Sequence, residues 1–359
     1  MQPIVPLKIL LMNFAQELIT WYLIHKRELP WRDTTDPYII WLSEIIMQQT
    51  RVEQGMPYFR RFAENYPTVA DFASATEDEI LKQWQGLGYY SRGRNMHHTA
   101  QMVMEDHGGY FPSKYDELLK LKGVGEYTAA AISSFSANEA KAVVDGNVFR
   151  LLSRYFGIDI PINSGSGKKI FTDLANEVMD KERAGIYNQA AMEFGSLQCK
   201  PAKPDCSICP LQTGCNAYNT NRINTLPVKI KAAKIRDRYF NFIVAVKDQN
   251  ILMQKRGEKD IWRNLYQLPL FESPAVINAS QLLQEPDFIQ TFGLKVTIKR
   301  MHSPVKHLLS HQRLHAQFIE IENFANQENF LNGLFYANST DFSTLAQPKL
   351  IFEFLEKFF

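Results

Sequence analysis

The apolar residues of this chain change their repeat once, and that change limits the folds open to it. Up to about residue 220 they recur at helical spacing, over 38–47, 76–85, 98–105, 114–121, 127–135, 148–156 and 170–179. Beyond 238 the period falls to two. YFNFIVAV, a KDQN turn and ILMQKR read as a hairpin, and VTIKRMHS and RLHAQFIEIE as further strands. SQLLQEPDFIQTF and PKLIFEFLEKFF return to helical spacing. The expectation is an all-α domain over 1–221 followed by a small α/β or α+β domain over 239–359, each with its own core. The stretch between them, 222–238, holds six Lys or Arg against one Asp and carries Pro227. It reads as a connector, either a solvated basic segment or one that touches a polyanion backbone.

With 45% hydrophobic and 22% charged residues and a net charge of +2, the chain has the composition of a soluble globular protein. That charge is too small to identify an anionic partner. Lys8, Asn13, Gln16 and Glu17 interrupt the N-terminal apolar run, so it reads as an amphipathic helix and not as a signal peptide. No run reaches the length of a membrane span. A cytoplasmic protein with no membrane contact is expected.

All four cysteines fall between 199 and 215, at Cys199, Cys206, Cys209 and Cys215, with gaps of six, two and five. Four thiolates on one compact loop form a tetrahedral sulfur site for zinc or an iron–sulfur cluster. One short gap between two longer ones suits a cubane better than a zinc ribbon, and four unliganded thiols are the plain alternative. Lys200 and Lys203 beside them could meet phosphates.

Three further stretches carry polar groups in places that need a reason. LKGVGEYTAAAI (121–132) sets a bare turn, Gly123-Val124-Gly125, at the mouth of a helix, where free amides and the helix dipole favour an anion. In DPYIIWLSEIIMQQTRV (36–52), read as one apolar helix, Glu44 has Ile40, Trp41, Met47 and Gln48 one turn away. Either its carboxyl is buried with a raised pKa, able to donate a proton, or it points to solvent. In VVDGNVFRLLSRYF (143–156), Asp145 reads as a helix N-cap or as an anion facing a developing cation. A protonated and an ionised carboxyl in one pocket are what cleavage of a glycosidic bond requires. In GLGYYSRGRNMHH (86–98), Tyr89 and Tyr90 beside Arg92, Arg94, His97 and His98 suit stacking on bases and contact with phosphates.

In this order, LPWR, the Glu44 helix, GLGYYSRGRN, the Gly-Val-Gly hairpin, VVDGNV, NQAAMEFG and the cysteines resemble the helix–hairpin–helix DNA glycosylases. More narrowly, over about 29–215, they resemble the MutY-type adenine glycosylases related to endonuclease III. The resemblance implies an all-α helix–hairpin–helix domain with an iron–sulfur loop, then a Nudix-like (MutT-like) α/β domain. It implies base excision repair: removal of adenine opposite 8-oxoguanine or guanine in double-stranded DNA, by a monomer that is nucleoid-associated when on DNA. By this resemblance Glu44 is the general acid at adenine N7, Asp145 stabilises the sugar cation, and Tyr127 and Asn147 support them. Where lyase cousins carry a lysine nucleophile this chain has Tyr127, which cannot form a Schiff base, so the reaction should stop at an abasic site. Arg32, Gln49, Thr50, Leu87, Tyr89, Gly123, Val124 and Gly125 match DNA contacts, with Gln49 and Tyr89 at the stack and Gln49, Thr50 and Leu87 at the opposing base. The implied cofactors are a 4Fe–4S cluster on the four cysteines and a cation at the hairpin. Ser310 and His311 match a Phe-Ser-His loop that senses 8-oxoguanine, with Leu309 in place of the aromatic. The Glu-rich box that Nudix hydrolases use for magnesium is missing from 236–359, so recognition without nucleotide hydrolysis is expected. The rivals are a superfamily member acting on thymine, uracil or oxidised pyrimidines, and an iron–sulfur DNA-binding protein without catalysis.

Overall fold

The structure is a computed structural model that describes residues 7–230, 235–324 and 333–359. Residues 231–234, inside the expected connector, lie outside the described residues. The chain divides into two compact units, Met1–Ser74 with Asn95–Lys231, and Ala75–Arg94 with Ala232–Phe359.

In chain order the first twelve helices are α1 (Leu7–His25), α2 (Pro37–Met47), α3 (Val52–Asn65), α4 (Val69–Ser74), α5 (Glu77–Gln83), α6 (Ser91–Asp106), α7 (Tyr115–Leu118), α8 (Glu126–Ala137), α9 (Gly146–Phe156), α10 (Gly165–Val178), α11 (Ala184–Leu197) and α12 (Asn216–Asn219). All but α5 and the first turn of α6 belong to the first unit. Its main core gathers Phe14 and Leu18 of α1, Leu151 and Leu152 of α9, Phe171 of α10 and Phe194 of α11. Cys199, Cys209 and Cys215 pack against that core.

The single helix expected over 36–52 is two elements. Asp36 caps the start of α2, accepting from the Tyr38 amide, with Pro37 at the first position. The helix stops at Met47 because Gln49 takes a left-handed backbone, φ 55°, and α3 restarts at Val52. The helix expected over 114–121 is only the short α7, and the chain turns from there into the hairpin. Helical spacing also underlies α3 and α11, which the sequence reading did not single out.

In the second unit, strands β1 (Arg236–Lys247), β2 (Asn250–Lys255), β3 (Tyr266–Gln267), β4 (Leu270–Ser273), β5 (Thr297–Met301), β6 (Val305–Leu308), β7 (Gln312–Glu322) and β8 (Leu334–Ala337) form one mixed sheet. Its main path runs β3-β2-β1-β7-β5. Strands β1 and β7 run parallel, from Arg236 opposite Gln312 to Ala245 opposite Ile321. The middle of β1 is buried without alternation, as expected of a strand covered on both faces. Helices α13 (Ala279–Leu282) and α14 (Pro286–Phe292) cover one face through Leu282, Phe288 and Phe292. Phe354 of α15 (Lys349–Phe358) stacks on Phe318 at 3.9 Å. The strand opens at Arg236, inside the span read as connector. Arg238 is buried there and paired with Asp260 at 2.6 Å and Glu272 at 2.5 Å, so this end of the basic stretch is structural. Among the described residues no helix is long and apolar enough to cross a membrane.

Candidate active site

Helix α2 is apolar all the way round, and such a helix has no wet face. That decides between the two readings of Glu44, which is 8% exposed. Burial pushes its carboxyl up to about 7. The hydrogen bond from Tyr127 Oη to Glu44 Oε2, 2.7 Å, pulls the other way, as does the Arg32 charge, while the Asp145 charge adds to the rise. Burial likewise raises the Tyr127 hydroxyl well above its ordinary value, so it stays a neutral donor.

Asp145 is the helix N-cap that its sequence allowed. It caps α9, with Oδ1 accepting from the amides of Asn147 and Val148, each at 2.8 Å. Its Oδ2 accepts from Asn147 Nδ2 at 2.7 Å. Burial raises its pKa, and the three hydrogen bonds oppose that rise without cancelling it. Asn147 is itself held. Arg150 Nη2 donates to Asn147 Oδ1 at 2.9 Å, while Arg150 Nε donates to the carbonyl of Cys199 at 2.8 Å. Gly195 lets α11 come this close, since a Cβ there would lie 2.7 Å from Asn147 Cβ.

Glu44, Tyr127, Asp145 and Asn147 border one cavity of about 650 Å³, together with Arg32, Gln49 and Thr50. The Arg32 guanidinium is committed elsewhere on its wall, in a forked pair with Glu193 at 3.1 and 2.8 Å. Arg27 also grips Glu193, at 2.9 and 2.7 Å. Burial pushes Glu193 up, but these donors outweigh it and hold it at about 2. Glu193 and Arg150 escaped the sequence reading. Glu193 lay inside a quoted motif and Arg150 inside a helix, and each draws its role from partners distant in the chain.

The hairpin presents fewer free amides than its glycines suggest, because the Val124 amide donates to the Leu121 carbonyl at 3.2 Å. The Gly123 and Gly125 amides have no acceptor among the described residues. Gly123 needs its identity: φ is +77° and a Cβ would sit 2.9 Å from Asn95 Cβ.

In the second unit, Leu87, Tyr89, Ser310 and His311 border another cavity of about 660 Å³. The Tyr89 and Ser310 hydroxyls are in hydrogen-bond contact. Of the paired tyrosines only Tyr89, 46% exposed, is available to a ligand, since Tyr90 is buried and its hydroxyl donates to the Gln347 carbonyl at 2.9 Å. Arg94 is likewise committed, to the Arg263 carbonyl at 2.9 Å. Gln49 and Tyr89, the residues matched to the base stack, are both exposed and both left-handed, with φ 55° and 47°. Bulky side chains on such backbone concentrate at working sites.

The cysteine loop is anchored by Arg154, 2% exposed. Its guanidinium donates to the carbonyls of Lys200 (2.7 Å), Pro201 (3.0 Å) and Leu226 (3.1 Å), and reaches Cys199 Sγ at 3.5 Å.

Residues 42–170 match the HhH-GPD superfamily of base excision DNA repair proteins, and 241–357 match the NUDIX domain. An adenine DNA glycosylase of Buchnera aphidicola subsp. Schizaphis graminum is 32% identical over 96% of this chain and 98% of its own length. Another, from Buchnera aphidicola subsp. Baizongia pistaciae, is 33% identical over 84% of each chain. The chain belongs to the adenine DNA glycosylase family. The human adenine DNA glycosylase is 40% identical over 57% of this chain and 39% of its own. Among solved structures, a thermostable thymine-DNA glycosylase aligns with TM-score 0.54 and 28% identity, covering 59% of this chain and 98% of that one. An endonuclease III–DNA covalent intermediate shares the fold, at TM-score 0.53 and 22% identity, over 60% of this chain and 99% of that one. In this member of the adenine DNA glycosylase family, the superfamily match contains Glu44, the hairpin and Asp145.

Proposed function

We propose that this protein, acting as a monomer on double-stranded DNA, excises adenine paired with 8-oxoguanine or guanine. It does so by hydrolysing the N-glycosidic bond and leaves an abasic site. The observation that carries this reading is the pair of carboxyls on one cavity, Glu44 poised near neutrality by burial and Asp145 held by three hydrogen bonds.

The adenine leaves the stack, at a cost of a few kcal/mol that a mispair lowers, and enters the cavity. Protonated Glu44 gives its proton to adenine N7, which draws electrons from the glycosidic bond and turns adenine into a neutral leaving group. Asp145 faces the positive charge that grows on the sugar, and Asn147, steadied by Arg150, fixes the carboxylate's orientation. Water then completes hydrolysis at C1′, directly or after a covalent sugar–Asp145 ester. No lysine borders this cavity among the described residues, and Tyr127 is tied to Glu44, which supports base removal without strand cleavage. The hairpin amides would hold the strand, Gln49 and Tyr89 would fill the stack, and Gln49, Thr50, Leu87, Ser310 and His311 would read the opposing base.

The cysteines suit a 4Fe–4S cluster. Burial pushes the Cys209 thiol up to about 12, so a thiolate there needs a metal's charge. Among the described residues no three His, Cys, Asp or Glu converge on an ion site, so the choice of a cluster over zinc rests on the spacing of the four cysteines. Bound by Cys199, Cys206, Cys209 and Cys215, the cluster would supply structure to the loop that carries Lys200 and Lys203. A cation at the hairpin would use the second lone pairs of the Leu121 and Lys122 carbonyls, each of which already accepts one hydrogen bond.

The test is a set of duplexes with adenine opposite 8-oxoguanine, guanine, cytosine or thymine, and one with thymine opposite guanine, scored for breaks with and without alkali. Breaks only after alkali, and only for adenine opposite the purines, are expected. Breaks without alkali, or release of thymine, would overturn the proposal.

A further inference from the structure

The cavity of the second unit has an aromatic wall that the sequence reading passed over, Trp262. Its backbone is left-handed, φ 61°, a conformation that bulky side chains hold only when their surroundings impose it. Asn264 two residues on repeats this at φ 62°, and its Nδ2 donates to Glu77 Oε1 at 2.6 Å. The indole is wedged edge-on against Phe240 at 6.2 Å and His307 at 6.0 Å. Although Trp262 is only 9% exposed, its indole N–H has no acceptor among the described residues. By contrast, Trp84 Nε1 on the neighbouring loop donates to the Gly88 carbonyl at 2.9 Å. The Trp262 Nε1 is not among the fully buried unpaired polar atoms, so the donor is open to solvent on the cavity wall and can meet an acceptor on whatever enters.

We infer that Trp262 reads the base opposite adenine, donating its indole N–H to the C8 oxygen that 8-oxoguanine has and guanine lacks. This rests on the proposed function above and adds a specificity-determining residue to it. 8-Oxoguanine differs from guanine by a carbonyl acceptor at C8 and an N–H donor at N7. A site can tell them apart by an acceptor toward N7–H, a donor toward the C8 oxygen, or both. The Ser310 hydroxyl can accept from N7–H, and Trp262 supplies the donor.

The test uses the full chain in a Glu44→Gln background, so that binding is measured without turnover. Trp262→Phe keeps the ring and removes the N–H. The preference for adenine opposite 8-oxoguanine over adenine opposite guanine should fall roughly five- to tenfold, with affinity for the guanine duplex unchanged. Equal weakening toward both duplexes would mean that Trp262 only packs, and would overturn the inference. If Trp262→Phe fails to fold, the indole ¹⁵N–¹H resonance of Trp262 is followed with Trp262 intact. It should move on adding the 8-oxoguanine duplex and stay put with the guanine duplex, and a resonance unmoved by the former overturns the inference. Absence of any preference for 8-oxoguanine with Trp262 intact sinks the underlying reading instead, and the inference with it.

Discussion

At the scale of single residues, the proposed chemistry depends on where Glu44 keeps its proton. Burial places its titration at about 7, so single-turnover adenine excision should fall as pH rises through that value and the acid form is lost. Glu44→Gln should cost about 10²–10⁴-fold in excision at pH 7. The same substitution should stabilise the fold. The folded pKa is raised, so the Glu44 contribution to stability is intact below its ordinary value and lost as pH rises toward and through 7. The gain in melting temperature for Glu44→Gln should therefore be larger at pH 8 than at pH 5, and equal gains at both would contradict the burial argument. The sequence held half of this. Apolar neighbours around Glu44 were legible, but whether it faced in or out depended on α2 being covered on every side. Asp145 was legible as a cap. Its proposed second duty was one of two readings there, and the sequence could not choose between them because a cap and a stabilised anion use the same donors. Arg150 and Glu193 were not legible, since their partners at Cys199, Arg27 and Arg32 come from other elements.

At the scale of elements, two short connections do specific work. The hairpin before α8 needs Gly123 both for its left-handed backbone and for clearance from Asn95. Gly123→Ala should cost about 1–2 kcal/mol in stability and weaken DNA binding, checked by urea unfolding and by filter binding across a salt series. The cysteine loop depends on Arg154 as much as on its thiols. Arg154→Lys leaves buried carbonyls without donors and should cost about 3 kcal/mol or more, seen in urea unfolding together with loss of the visible absorbance expected of the proposed cluster. Periodicity found α2, α8, α9 and the β1–β2 hairpin, because each buries a stripe or a face. Its span of 38–47 ended where α2 ends, but reading 36–52 as one helix ran past that point because nothing in Gln-Gln-Thr announces a left-handed residue. It missed β3, β4, β6 and β8, which are too short to show a period.

At the scale of the whole molecule, the second unit is assembled from two separate stretches of chain. Residues 75–94 join the sheet through definite bonds: Lys82 Nζ to the carbonyls of Phe342 (2.7 Å) and Leu345 (3.1 Å), Tyr266 Oη to Asp78 (2.9 Å), and the Gln347 amide to Gln85 (3.0 Å). A fragment beginning at residue 232 lacks all of them. It should melt at a lower temperature than the second unit within the full chain, and hydrogen exchange around 342–347 should rise. No pattern in the sequence linked 75–94 to the sheet, because such pairing shows only in three dimensions. The arrangement also orders events during synthesis. Residues 75–94 leave the ribosome long before strands β1 to β8 exist, and must wait with their bonding groups in water until translation is nearly complete. The proposed reader of the opposing base can therefore form only once these late segments have been made, so on that proposal a prematurely terminated product would carry Glu44 and its cavity without the cavity of the second unit.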